Sequence, residues 1–330
     1  MHTSPIVSVR NLHRSFGNVQ AVRGLSFEMY PGQVVGFIGA NGSGKTTTMR
    51  IMATLDVPGI GTAEICGNDI INYPDRVRGK IGWMPDSFGV YPAMTVFEYL
   101  DFYGRAFGYR ASQRLERLRE VMEFTDLTSL ADRPMNKLSK GMGQRLCLGR
   151  TLMHDPEVLI MDEPAAGLDP KARIEFKRLV RLLADQGKTI FISSHILSEL
   201  AEMCDSLLFI DAGRIVHHGT AESLQNGAGL GETVVLVQVA GDPEGLRQWA
   251  QANPGVTLVE MLKTGARLRL GAETPDAAAV FLRKMIADGL AVSDFHRETR
   301  KLEDAFVEIL RQVEPSRGLP PAAPNAGAPL

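Results

Sequence analysis

The chain has 330 residues, 44% of them hydrophobic, and a formal net charge of −2, which is material for two ordinary domains and gives no global pull toward nucleic acid or anionic lipid. Its three cysteines, Cys66, Cys147 and Cys204, lie far apart with no CxxC pair; this argues against a disulfide framework or a thiolate metal centre and fits a reducing compartment. No apolar run reaches the roughly 18 residues of a membrane-spanning helix, and MHTSPIVSVR has no signal-peptide core.

Residues 5–35 read as short strands and turns, PIVSVRNL and then GLSFEMYPG. VVGFIG (34–39) is a continuous apolar run, as in a strand buried on both faces. Lys45 to Leu55 reads as a helix, and residues 95–125 are helical, first TVFEYLDFYGRAFG and then the charged ASQRLERLREVMEF. EVLIMDEP (157–164) and KTIFISSH (188–195) are further buried strands, and SLLFIDAGRIVHHG (206–219) is a hairpin around Asp211-Ala212-Gly213. Strands alternating with helices imply a layered, mostly parallel α/β domain. QNGAGLGE (225–232) reads as a glycine-rich joint. Beyond it TVVLVQVA, DPEGLRQWAQA, VTLVEMLKTGARLRL, DAAAVFLRKMIADG and AVSDFHRE follow the βαββαβ order of a small ferredoxin-like unit, closed by a helix KLEDAFVEILRQV. Residues 314–330, with five prolines, read as a disordered tail. The expected domains are therefore 1–224, with a helical subdomain over about 86–155, then 232–313, then the tail.

The stretch GFIGANGSGKTTTMRIM (36–52) fits G-x-x-x-x-G-K-[ST], with Gly39, Gly44, Lys45 and Thr46 at the fixed places. An ordinary glycine turn is the alternative, but a strand before it and a helix after it favour a phosphate cradle. Backbone N–H groups of Gly39, Ala40, Asn41, Gly42, Ser43, Gly44 and the residues through Thr47 would curl around phosphate oxygens. Lys45 would reach the β- and γ-phosphates, and the Thr46 hydroxyl would join a Mg²⁺ shell. At the carboxyl edge of VLIMDEP, Asp162 suits the metal and Glu163 suits a general base, turned apart because side chains alternate along a strand. In LSKGMGQRLCLGR (138–150), Ser139 is an N-cap whose helix terminus forms a second anion site.

AGLDP (166–170) and SSHILSEL (193–200) follow. In this order the set resembles the nucleotide-binding subunit of ATP-binding-cassette (ABC) transporters, over residues 5 to about 220. The resemblance implies a P-loop ATPase core with a helical subdomain, taking ATP and Mg²⁺. It implies that Phe16, which alone would read as core packing, stacks on adenine. His195, alone a surface or capping histidine, contacts the γ-phosphate and acts with Glu163. The metal set becomes Thr46, Asp162 and Asp86, the last in a place where the family often has glutamine. Ser139 and Gly141 of the signature LSKGM face the nucleotide of a second copy, or of a related subunit; the family most often has LSGGQ there, so Lys140 and Met142 are departures. The implied partner is a separate integral-membrane permease, engaged at the cytoplasmic face and used for export, with no nucleic-acid partner. The aromatic run 88–104 would dock it, or is simply the subdomain's own core. Arg105, Arg110, Arg114, Arg117 and Arg119 would meet lipid headgroups or a permease loop, or form a solvated helix face. The alternative is a soluble cassette ATPase acting on DNA or ribosomes, disfavoured by a single cassette without a sustained heptad.

Overall fold

The computed structural model describes residues 4–87, 89–221, 223, 233–271 and 275–297. These belong to two compact units that divide after Ala221. The joint at 225–232, the closing helix expected at 301–313 and the tail at 314–330 lie outside the described residues.

The first unit opens with a hairpin, β1 (Val7–Phe16) and β2 (Val19–Met29), extended by β4 (Ile60–Ile65) and β5 (Asn68–Asp69) into an antiparallel sheet ordered β2-β1-β4-β5. The second sheet is built from β3 (Val34–Ile38), β6 (Ile81–Met84), β7 (Val158–Met161), β8 (Thr189–Ser194), β9 (Ser206–Asp211) and β10 (Arg214–Gly219). Its order is β10-β9-β3-β8-β7-β6, parallel throughout except for the edge strand β10. Every residue of β3, β7 and β8 is buried, which is why these strands read as apolar runs rather than alternations. Phe191 of β8 stacks on Phe37 at 5.0 Å and on Phe27 at 5.4 Å, fastening the two sheets together.

The helices of this unit are α1 (Lys45–Met52), α2 (Pro74–Arg78), α3 (Val96–Ala106), α4 (Ala111–Phe124), α5 (Lys140–Leu152), α6 (Pro170–Asp185) and α7 (Leu197–Ala201). α1 stops at Met52, three residues short of expectation, because Thr54 turns left-handed with φ 57°. Thr95 opens α3 with a reciprocal cap: its hydroxyl accepts from the Glu98 N–H, and the Glu98 carboxylate accepts from the Thr95 N–H. Asp101 then accepts from Arg105 at 2.7 Å and from Arg114 at 2.5 Å, tying α3 to α4. Arg117 donates to the carbonyls of Leu152 and Met153 at the end of α5. Three of the five arginines in the basic stretch are therefore engaged within the subdomain. The aromatic run is divided between core and surface: Tyr99 is 1% exposed, whereas Phe102 is 56% and Tyr91 54% exposed.

The second unit comprises β11 (Thr233–Val239), α8 (Glu244–Ala252), β12 (Val256–Leu262), β13 (Gly265–Leu270), α9 (Pro275–Ala287) and β14 (Val292–Arg297). Its sheet is antiparallel in the order β12-β13-β11-β14, the ferredoxin-like arrangement of a βαββαβ chain. Val235, Val237, Leu268, Trp249 and Met285 fill its core.

Candidate nucleotide site

The loop between β3 and α1 lies at the carboxyl end of the parallel sheet, where ligands of open α/β folds sit. α1 begins without a side-chain cap: Gly44 occupies the N-cap with φ 108° and ψ 4°. A Cβ at this position would run into the carbonyl oxygen of Ala21 in β2, so only glycine fits. The first N–H groups of α1 therefore remain open to an anion. The Ser43 hydroxyl beside them is sealed from solvent and has no hydrogen-bond partner. Lys45, 5% exposed, arches back and donates from Nζ to the carbonyls of Gly39 at 2.6 Å and Ala40 at 3.3 Å.

The acidic pair diverges for a different reason from the one the strand pattern suggests. β7 ends at Met161, and Glu163 takes φ 49°, so a left-handed turn and not the pleat separates the two carboxylates. Asp162 is 3% exposed, and its Oδ1 accepts from the Ser193 hydroxyl at 2.7 Å. The same hydroxyl accepts from the Glu163 N–H at 2.9 Å. Glu163 lies with Oε1 3.6 Å from Lys45 Nζ and Oε2 2.8 Å from His195 Nδ1. Lys45, Asp162, Glu163 and His195, which β3–α1, β7 and β8 carry separately, thus form one charged row at the sheet edge. Ser193 is the member that motif reading misses; its signal is a hydroxyl at the end of a buried strand, two residues before His195.

Thr46 and Asp86 are exposed on the solvent side of the same edge elements, Asp86 two residues beyond β6. Phe16 is 49% exposed at the end of β1, not packed in the core, and the Arg14 guanidinium lies 4.7 Å from its ring centroid. Ser139 caps α5, accepting from the Met142 N–H at 3.3 Å. Ser139 and Gly141 line a separate cleft of about 270 Å³ with Leu168, Asp169 and Phe176. Among the described residues no hydrogen bond joins them to residues 39–47. Lys140 lays its ammonium against Gly167, which holds φ 67°.

A glycine-lined anion cradle with a buried lysine after β3, set against a carboxylate pair just past the end of β7, two strands away across β8 in the same parallel sheet, defines a phosphate-loop nucleoside triphosphatase. The ABC transporter family profile matches residues 22–166. Nod factor export ATP-binding protein I of Ralstonia nicotianae is 41% identical over 223 residues, 67% of this chain and 69% of that protein. Linearmycin resistance ATP-binding protein LnrL of Bacillus subtilis is 33% identical over 72% of this chain and 76% of its own length. Among solved structures, cbiO1 from Clostridium perfringens, part of the ABC transporter complex cbiONQ, superposes with a TM-score of 0.61 at 25% identity, covering 66% of this chain and 88% of that one. The chain belongs to the ABC transporter family, as one of its ATP-binding, ATP-hydrolysing cassettes.

Proposed function

We propose that this cassette energises export through a separate integral-membrane permease, acting as a pair of copies at the cytoplasmic face of the membrane. The observation that carries the ATPase reading is the row Lys45–Glu163–His195 facing the open N-terminus of α1. The export reading draws support from relatives whose names state Nod factor export and linearmycin resistance.

In this reading the N–H groups of residues 39–47 and the Lys45 ammonium hold the β- and γ-phosphates, and the buried Ser43 hydroxyl supplies a further donor. Lys45 exchanges its carbonyl acceptors for phosphate oxygens when ATP arrives. Glu163 orients the attacking water and takes its proton. His195 holds that carboxylate through Nδ1, which places its ring beside the γ-phosphate. Phe16 serves as the platform for adenine. Ser139 and Gly141 of one copy close on the nucleotide of the other, at the positive end of the α5 dipole.

The residues present fit Mg²⁺. The Thr46 hydroxyl and the Asp162 carboxylate, oriented by Ser193, are hard oxygen donors that would hold the ion, and Asp86 would serve it through water. The chemistry the ion would supply there is neutralisation of the charge that develops on the phosphate oxygens.

The exposed aromatics Tyr91, Phe97, Phe102 and Phe107 offer the permease an apolar surface on the helical subdomain. Reconstitution with the candidate permease in vesicles tests the whole reading. The expected result is permease-dependent stimulation of ATP hydrolysis and substrate movement across the bilayer. Turnover stimulated by ribosomes or DNA, and indifferent to the permease, would reverse it.

A further inference from the structure

We propose that Arg14 and Asp56 form a positioning pair that holds Phe16 as the nucleobase platform, making Arg14 a determinant of base recognition although it is remote from the phosphates. The inference rests on the reading of Phe16 as that platform. Phe16 ends β1 with half of its surface in solvent, and an exposed ring in that position would ordinarily sample several rotamers. Arg14 stands two residues earlier on the same face of the strand, its guanidinium 4.7 Å from the ring centroid. The same guanidinium pairs with Asp56 Oδ1 at 2.7 Å, with the two side chains only 27% and 18% exposed. Arg14 Nε is sealed from solvent without a hydrogen-bond partner, and the guanidinium carbon lies over the Phe16 ring.

Asp56 is itself anchored. It lies four residues beyond Met52, the end of the helix that begins with Lys45, and its Oδ1 accepts from the Val57 N–H at 2.7 Å. The ring is thereby linked through Arg14 and Asp56 to the same helix that opens the phosphate cradle. Two effects favour a purine on the free face. The ring is ordered before the base arrives, so less rotamer freedom is lost on binding. A cation behind the ring also draws density from its π-cloud, which reduces repulsion with a second π-system.

The test is steady-state hydrolysis by the full chain with two substrates, Mg-ATP and ribose-5-triphosphate, which lacks the base. Arg14→Ala and Asp56→Asn should each raise KM for ATP roughly 3- to 10-fold with little change in kcat, and Arg14→Lys should recover part of the loss. Neither variant should alter KM for ribose-5-triphosphate. In a Phe16→Ala background, Arg14→Ala should add nothing further. Equal losses with both substrates, or fully additive losses with Phe16→Ala, would make the pair merely structural and overturn the inference. A silent Phe16→Ala would remove the platform reading itself, whereas a damaging Phe16→Ala beside a silent Arg14→Ala would sink the inference alone.

Discussion

Lys45 Nζ lies 3.6 Å from Glu163 Oε1 while its shorter bond, 2.6 Å, goes to the Gly39 carbonyl. The ammonium is therefore buried without a tight carboxylate partner, held by loop carbonyls that a phosphate can replace. Lys45→Ala should lower ATP affinity on the order of 100-fold and abolish turnover. Calorimetry with Mg-ATP reads the first and phosphate release the second; undiminished hydrolysis would remove Lys45 from the phosphate site.

Glu163 sits between Lys45 and His195, and in the proposed function it takes the water's proton. Glu163→Gln keeps the size and the hydrogen-bonding reach but not the basicity. Turnover should fall by about 10²- to 10⁴-fold while ATP stays bound. Size-exclusion chromatography with Mg-ATP should then show a dimer, and a monomer alone would count against sites shared between copies.

One hydroxyl fixes both halves of the acidic pair, since Ser193 donates to Asp162 and accepts from the Glu163 N–H. Ser193→Ala leaves the buried Asp162 oxygen short of a donor and the Glu163 N–H short of an acceptor, a cost of about 1–3 kcal/mol. The expected readout is a raised Mg²⁺ requirement together with a kcat loss of roughly tenfold or more. An unchanged magnesium titration would reduce Ser193 to a bystander.

What the sequence discloses here follows from the range of the interactions. The strands β3, β7 and β8 announce themselves because burial on both faces leaves an unbroken apolar run, and the phosphate loop does so because its parts are contiguous. The βαββαβ order of the second unit is legible for the same local reason, whereas the strand order β12-β13-β11-β14 comes only from long-range pairing. The left-handed turn at Glu163 is invisible in MDEP because nothing but the surrounding fold imposes it on a glutamate. Ser193 with Asp162, and Arg14 with Asp56, are 31 and 42 residues apart in the chain, and no local pattern pairs them. Phe16 is a misleading case: hydrophobicity alone sends it to the core, and only its place in the motif order sends it to the surface.

Lys140, where the family's commonest signature has glycine, lays the mobile end of its side chain where a Cβ on Gly167 would sit. Gly167 also holds φ 67°, so Gly167→Ala meets a conformational penalty of about 1–3 kcal/mol in loop stability, whereas the Lys140 ammonium can swing aside at little cost. Adding Lys140→Gly should therefore recover little of the loss that Gly167→Ala causes. Thermal scans and ATPase rates on the two single variants and the double variant measure the coupling, and a large rescue by Lys140→Gly would show that the side-chain contact, not the backbone conformation, carries the penalty.

His154 gives the fold a dependence on acid. Its Nε2 donates to the Ile81 carbonyl at 2.8 Å, its ring stacks on Phe107 at 4.2 Å, and its Nδ1 is sealed from solvent without a partner. Burial holds its pKa below the ordinary histidine range, although the Ile81 carbonyl pulls the other way. The unfolded chain, titrating near about 6.5, therefore binds the proton more readily than the folded one. Stability from this residue is complete above that value and drains away as the pH falls from about 6.5 toward the lower folded pKa. His154→Gln keeps an N–H for the Ile81 carbonyl and cannot titrate. The variant should melt below the parent at pH 7.5, by about 1 kcal/mol for the altered packing and bond, and the gap should narrow or reverse by pH 5.5. Comparing the two proteins cancels the carboxylates that titrate in both, so a gap that stays constant across this range would mean that His154 is not the group responsible.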